Sequence, residues 1–283
     1  MRKIIGLAAL ARSGKDTVAS ILLTYPHVAA FALADPLKAG CQALFGLTDA
    51  ETWDDSYKEK PIGLWGKSPR ELFQTVGTEW MRHHNPEHWL TRAEREINRP
   101  EDRNMLALSP GAVPETEEPF AIAAMLFFDF TADQITNDAN LRAIDDTWGL
   151  SPREAIDLIK RNTLELFPDF EDRRAQRPAP LLKQMSRVPA DAQTVIIKDI
   201  RFENEATFLR KHQGQIWHIK RPNTPHVNPH SSEHGITQGF GDVLIKNDGT
   251  LKDLENSVRR AWVEADKTPT QTTPPQPNDR KQL

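Results

Sequence analysis

One cysteine, Cys41, in 283 residues excludes an intramolecular disulfide and fits a reducing compartment. It lies in an apolar helical stretch, where a buried structural thiol is expected rather than a nucleophile. No apolar run approaches the roughly 20 residues that span a bilayer. Met1-Arg2-Lys3 leads straight into a strand-like segment without a signal-peptide cleavage pattern, so a cytoplasmic protein is expected. Basic charge is not in excess either. Thirty-six Lys and Arg against 40 Asp and Glu leave a net charge of −4, too acidic to advertise nucleic-acid binding. The length allows one large core, or a core plus a subdomain.

What is present is a patterned start. The apolar run Ile4-Ile5-Gly6-Leu7-Ala8-Ala9-Leu10 precedes Ala11-Arg12-Ser13-Gly14-Lys15-Asp16-Thr17, and Val18-Ala19-Ser20-Ile21-Leu22-Leu23 follows. Strand, small-residue turn ending in Gly-Lys, then helix is the layout of a phosphate-binding loop. The turn's N–H groups share one concavity, the helix start adds positive dipole charge, and the lysine reaches outer phosphates. The usual Gly-x4-Gly-Lys-Ser/Thr spacing puts Ala9 at the first glycine. It puts Asp16 where a magnesium-binding hydroxyl is expected, with Thr17 one place later. A surface turn with a chance Gly-Lys is the competing reading.

Further along, Val28 to Leu33 reads as a second strand. Pro36 then opens a helix from Leu37 to Phe45, which makes Asp35 an N-cap candidate at a strand's carboxyl end, where open α/β sheets bind ligands. Residues 48–66 are polar and turn-rich. Ser68-Pro69-Arg70-Glu71 carries cap, proline and capping-box glutamate for a helix to Arg82, and another helix starts at Trp89. Residues 100–118 read as a loop. From 193 the α/β pattern resumes with strands at 194–197, 215–220 and 242–246, and helices at 203–212 and 251–265. Five apolar strands separated by helices argue a parallel sheet covered on both faces.

Between these parts the chain repeats itself. Residues 127–154 lie over 44–71 without a gap, matching Phe45 with Phe128, Thr48 with Thr131, and Trp65-Gly66 with Trp148-Gly149. Ser68-Pro69-Arg70-Glu71 matches Ser151-Pro152-Arg153-Glu154. An internal duplication of a helical unit is expected, its second copy acting as scaffold or as a homodimer surface. Trp65, Trp148 and Trp217 are expected in the core. His226, His230 and His234 have helix-like spacing, but Pro225 and Pro229 break a helix and no Cys or carboxylate pair completes a zinc set. A polar lid is expected there instead, and a disordered tail beyond it.

Taken in order, Arg12-Ser13-Gly14-Lys15-Asp16-Thr17, Ala34-Asp35-Pro36-Leu37-Lys38, Gly77-Thr78-Glu79, Trp89, Asp199-x-Arg201-Phe202-x-Asn204-Glu205, Arg221-Pro222 and Asn247-Asp248-Gly249-Thr250 make a set. That set resembles the phage-type deoxynucleoside monophosphate kinases, over roughly 1–95 and 193–262. The resemblance implies an α/β P-loop kinase fold: a five-stranded parallel sheet flanked by helices, a large helical insertion between strands two and three, and a lid between strands four and five. The implied domains are a core of 1–46 with 193–265, an acceptor-binding insertion at 47–99, an extra block at 100–192 and a tail at 266–283.

The implied activity is ATP-dependent phosphorylation of deoxynucleoside monophosphates to diphosphates, supplying DNA precursors in phage infection, with Mg2+. By the same resemblance Arg12, Ser13, Gly14, Lys15, Asp16 and Thr17 cradle the donor, and Thr17 or Asp16 holds the metal. Asp35, Leu37, Lys38, Arg70, Gly77, Thr78, Trp89, Asp199, Arg201 and Glu205 meet the acceptor, with Trp89 as a face for its base. Lys15, Arg70 and Arg201 carry the charge of transfer. No membrane or nucleic-acid partner is implied. Two alternatives stand beside it: a P-loop kinase of another small acceptor, such as dephospho-coenzyme A, and a non-catalytic nucleotide-binding protein.

Overall fold

The computed structural model describes residues 2–10, 12–98, 108–177, 188–222 and 236–267. Strands β1 (Lys3–Ala9), β2 (Val28–Phe31), β3 (Thr194–Ile200), β4 (Gln215–Lys220) and β5 (Val243–Lys246) form one parallel sheet in the order β2-β3-β1-β4-β5. The chain divides into two compact units, Met1–Val28 with Gln193–Leu283, and Ala29–Ala192.

In the first unit, β1 is central because Ile4, Ile5 and Leu7 are buried and need cover on both faces. Its helices are α1 (Lys15–Leu22), α11 (Glu203–Lys211) and α12 (Leu251–Lys267). β1 runs beside β3 on one side and β4 on the other, and the β1–β3 register slips between Gly6 and Ala8. Gly6 pairs with Ile197 but Ala8 with Ile200, so Lys198 and Asp199 together stand opposite Leu7. Such a bulge bends the strand and re-aims its side chains.

The second unit holds α2 (Ala34–Phe45), α3 (Asp49–Trp53), α4 (Pro69–Gln74), a π-helix (Thr75–Arg82) and α5 (His88–Ile97). After these come α6 (Glu118–Phe128), α7 (Ala132–Thr136), α8 (Asp138–Arg142), α9 (Pro152–Leu166) and α10 (Phe170–Ala175). All of them fall between β2 and β3 in the chain. α6 is apolar on every side, and Phe120, Met125, Phe127 and Phe128 are all buried, which makes it the axis of this unit's core. Phe45, Trp65, Phe167 and Phe170 pack into the same cluster. Each such side chain contributes roughly 1.5–3 kcal/mol on burial. Cys41 is buried there too, and burial raises its thiol pKa, as expected of an inert structural cysteine.

Three local expectations are corrected. Asp35 does not cap α2: Leu33 already has helical dihedrals, so the helix begins at Ala34 and Asp35 lies inside its first turn. Residues 48–66 are not turns alone, since Thr48 and Glu51 form a capping box that starts α3. The helix begun at Pro69 widens into a π-helix at Thr75, a feature that apolar spacing does not signal. The three histidines and residues 268–283 of the expected tail lie outside the described residues, while α12 runs on through Lys267. Among the described residues no helix is long and apolar enough to cross a membrane.

Polar groups also enter this core. Arg92 is fully buried; it donates through Nε to the Leu126 carbonyl (3.0 Å) and pairs with Glu96 (3.2 Å) and Asp129 (3.1 Å). Glu96 accepts the Val188 N–H at 3.1 Å, while Arg95 pairs with Asp145 at 2.8 Å. His88 sits among the rings of Trp89, Phe128 and Trp148, and burial pushes its pKa down to about 3. The unfolded chain takes up this proton near pH 6.5, the folded chain only near 3. Stability therefore falls as pH falls, by about 2 kcal/mol between pH 7 and 5 from this group. Urea titrations at both values should show that loss in the native sequence and its disappearance in His88→Leu; equal losses in both would contradict the assignment.

Candidate functional site

In the first unit the chain leaves β1 and turns through two residues of positive φ, Arg12 (63°) and Gly14 (96°). Ser13 donates its N–H to the Leu10 carbonyl at 3.2 Å, and its side chain is buried. The φ of Gly14 is one that side-chain-bearing residues rarely adopt, and a Cβ there would also lie 2.5 Å from Asn247 Nδ2, so glycine is favoured. That same Nδ2 donates to the Ser13 carbonyl at 2.9 Å, while the Asn247 N–H donates to Lys220 at 2.8 Å. Asn247 thus ties the loop to the ends of β4 and β5. No role had been assigned to it from sequence; its place just after β5, in Asn247-Asp248-Gly249-Thr250, is the available signal.

No side chain caps α1, which leaves its first N–H groups and its dipole for an anion. Lys15, on the first position of that helix, is partly exposed; its ammonium lies 3.6 Å from Asp16. Thr17 is half-buried one residue further on. Ala9 is no defect. It remains in β1 opposite Ile219, is not among the residues of positive φ, and so needs no glycine.

Asp199, in the bulge of β3, and Arg201, exposed just beyond it, stand at the carboxyl end of the strand next to β1. Neighbouring strand ends of an open sheet are where such folds bind ligands. Glu205 is buried, and its Oε2 accepts the N–H groups of Arg201 (2.8 Å) and Phe202 (3.1 Å). It shapes the turn that presents Arg201, and it is not placed to meet an acceptor itself.

The second unit assembles a different group. Ser68 and Glu71 close the capping box that starts α4, and the Arg70 N–H donates to the Lys58 carbonyl at 2.9 Å. The Arg70 guanidinium pairs with Glu59; both are substantially exposed, so the pair is weak and replaceable. Lys58 pairs with Asp55 at 2.9 Å. Gly77, in the π-helix, abuts Leu37 of α2: a Cβ there would come within 2.7 Å of Leu37 Cδ2. Thr78 beside it is exposed, Asp35 is half-buried, and Lys38 lies 5.4 Å from the Trp53 ring centroid.

Trp89 is a correction. It is 5% exposed, packs edge-on to Phe127, and donates its indole N–H to the Gly77 carbonyl at 3.0 Å. Its ring is core and offers no open face to a base; its indole ties α5 to the π-helix. Trp65 and Trp217 are buried as expected, and Trp148 is partly buried against the same cluster.

The family described as deoxynucleotide monophosphate kinase matches residues 179–258, which include Asp199, Arg201, Glu205 and Asn247. A protein of Escherichia phage RB69 named deoxynucleotide monophosphate kinase is 21% identical over 266 residues, 91% of this chain and 98% of its own length. One of the same name from Enterobacteria phage T4 is 24% identical over 262 residues, 91% and 97% of the two chains. A protein of Acanthamoeba polyphaga mimivirus named for the same activity is 40% identical over 81 residues; that match spans 42% of the viral protein. The resemblance drawn from the ordered motifs is thereby borne out.

Proposed function

We propose that this chain, a relative of the deoxynucleotide monophosphate kinases, transfers the terminal phosphoryl group of ATP to a deoxynucleoside monophosphate. The observation that carries this is the loop from Arg12 to Lys15. Its two left-handed residues, uncapped helix start and Asn247 brace support an anion cradle.

Phosphoryl transfer asks a protein for positioning and charge neutralisation more than for covalent chemistry. Lys15 meets the outer donor phosphates, with the backbone of Ser13 to Thr17 beneath them and Arg12 at the donor's edge. The residues fit a donor nucleotide with Mg2+: Thr17 offers a hydroxyl and Asp16 an exposed carboxylate. The bound ion would supply charge neutralisation of the donor phosphates. Arg70 takes the acceptor's monophosphate in a bidentate fork, exchanging the weak Glu59 pair for a doubly charged partner. Leu37, Lys38, Gly77 and Thr78 line the acceptor's place, with Asp35 at the start of the same helix. Asp199 and Arg201 orient the acceptor, Arg201 also carrying charge as transfer proceeds; Glu205 and Trp89 are positioning residues. The phage origin of two relatives supports a role in supplying DNA precursors during phage infection.

Loss of one charge-assisted bidentate contact costs about 1.5–3 kcal/mol. Arg70→Ala is therefore expected to raise KM for the monophosphate roughly 10- to 100-fold, on the same principle, while KM for ATP stays unchanged. Initial rates with each substrate varied in turn check this, and an equal rise in both constants would contradict it. Competition by dephospho-coenzyme A against the monophosphates separates the runner-up acceptor class.

A further inference from the structure

The second unit contains the same local structure twice, in the gapless register of the sequence repeat. α2 ends in a left-handed residue, Gly46 (φ 60°), and α6 ends in another, Asp129 (φ 60°). Thr48 and Glu51 box the start of α3 as Thr131 and Gln134 box α7. The extended residues Asp54 and Asn137 follow, with φ and ψ of −92° and 120° against −89° and 119°. Isolated bridges join Ile62 to Lys67 and Asp145 to Leu150, and Gly66 and Gly149 are both left-handed. The Trp65 indole donates to the Phe45 carbonyl at 3.1 Å, and the Trp148 indole to Phe128 at 2.7 Å. Ser68–Glu71 and Ser151–Glu154 box the next helices. Independent convergence on so many unlike features is not credible; this is a duplicated unit.

The same register extends back to Pro36 and Pro119 and pairs Arg70 with Arg153, Leu37 with Phe120, and Gly77 with Lys160. There the copies diverge. In the first, Gly77 leaves only a backbone against Leu37, and the helix is widened. In the second, α9 is regular, and Lys160 reaches over Phe120, its ammonium 5.7 Å from the ring centroid. The Glu117 carboxylate lies 3.3 Å from Arg153 Nη1 and 3.8 Å from Lys160 Nζ, and Asp157 lies 3.8 Å from the same Arg153 nitrogen. In the register, Glu117 answers to Ala34; Arg70 meets a carboxylate too, but it is that of Glu59, 62% exposed against 27% for Glu117.

We infer that residues 117–166 are a retired second copy of the acceptor unit, whose anion slot is closed by its own carboxylate. Glu117 stands toward Arg153 and Lys160 as a phosphate monoester stands toward Arg70. The inference rests on the acceptor role proposed for Arg70. On this reading the second slot has its negative charge built in, at high effective concentration.

Removing that charge should reopen the slot. Glu117 is partly exposed, so Glu117→Gln strands no buried charge and is expected to fold; Glu117→Ala serves as the second variant. Calorimetric titration of the full chain with inorganic phosphate at low ionic strength is expected to show one equivalent more in either variant than in the native sequence. Arg153→Ala added to Glu117→Gln should abolish that increment. No increment in either variant, or one that survives loss of Arg153, overturns the inference. Arg70→Ala separates the two ideas: the native sequence is expected to bind phosphate both at the loop of Arg12 to Lys15 and at Arg70, and this variant should lose one of those equivalents while keeping the increment. An unchanged native stoichiometry in Arg70→Ala counts against the acceptor role, whereas absence of the increment counts against the closed second slot.

Discussion

Lys15→Ala is expected to lower kcat by about 10²- to 10³-fold, the cost of removing one preorganised charge from developing phosphoryl charge. The fold should not suffer. The ammonium is partly exposed, and its neighbour Asp16 is largely in solvent, so truncation strands no buried charge. An unchanged melting temperature with collapsed turnover would place the loss in chemistry. Unchanged turnover would favour the alternative of a nucleotide-binding protein without catalysis. Arg153→Ala makes the control: it shares the register of Arg70 yet faces Glu117, and turnover should stay within about twofold of the native value, a change under 0.5 kcal/mol.

The largest effect on stability is expected at Arg92. Its guanidinium is fully buried, with Glu96 and Asp129 each about 1% exposed beside it. Arg92→Ala would leave two buried carboxylates short of their cation and is expected to cost about 3–5 kcal/mol. Arg92→Met together with Asp129→Asn leaves one uncompensated buried carboxylate, Glu96, in place of two, and should cost less than the single change. Urea denaturation of the three proteins checks both statements. A loss below 1 kcal/mol for Arg92→Ala would mean that the network is better hydrated than its burial indicates. Because Arg92 shares α5 with Trp89, which holds Gly77, a partial loss of acceptor affinity should accompany the destabilisation.

Most of the sheet was legible because parallel strands buried on both faces read as continuous apolar runs, as in Ile4 to Leu7 and Val195 to Ile197. Capping boxes at Ser68 and Ser151 were legible for a similar reason: the chemistry is local and confined to four residues. Features set by tertiary contact were not. Asp35 has a cap residue's chemistry, but Leu33 and Ala34 turned helical before it. The π-helix packs through Gly77 on Leu37 and Trp89, residues distant in sequence that no local pattern connects. Trp89 fitted a stacking role by motif alone, whereas its burial follows from the packing of α5 on Phe127. Ala9 looked like a fault because the spacing rule expects glycine, yet here the strand simply continues through it.

The central claim is phosphoryl transfer to a deoxynucleoside monophosphate, and turnover tests it most directly. Purified protein supplied with ATP, Mg2+ and each deoxynucleoside monophosphate in turn should form the corresponding diphosphate from at least one of them, and Lys15→Ala should abolish most of that product. Failure of the native protein to phosphorylate any of them would contradict the account.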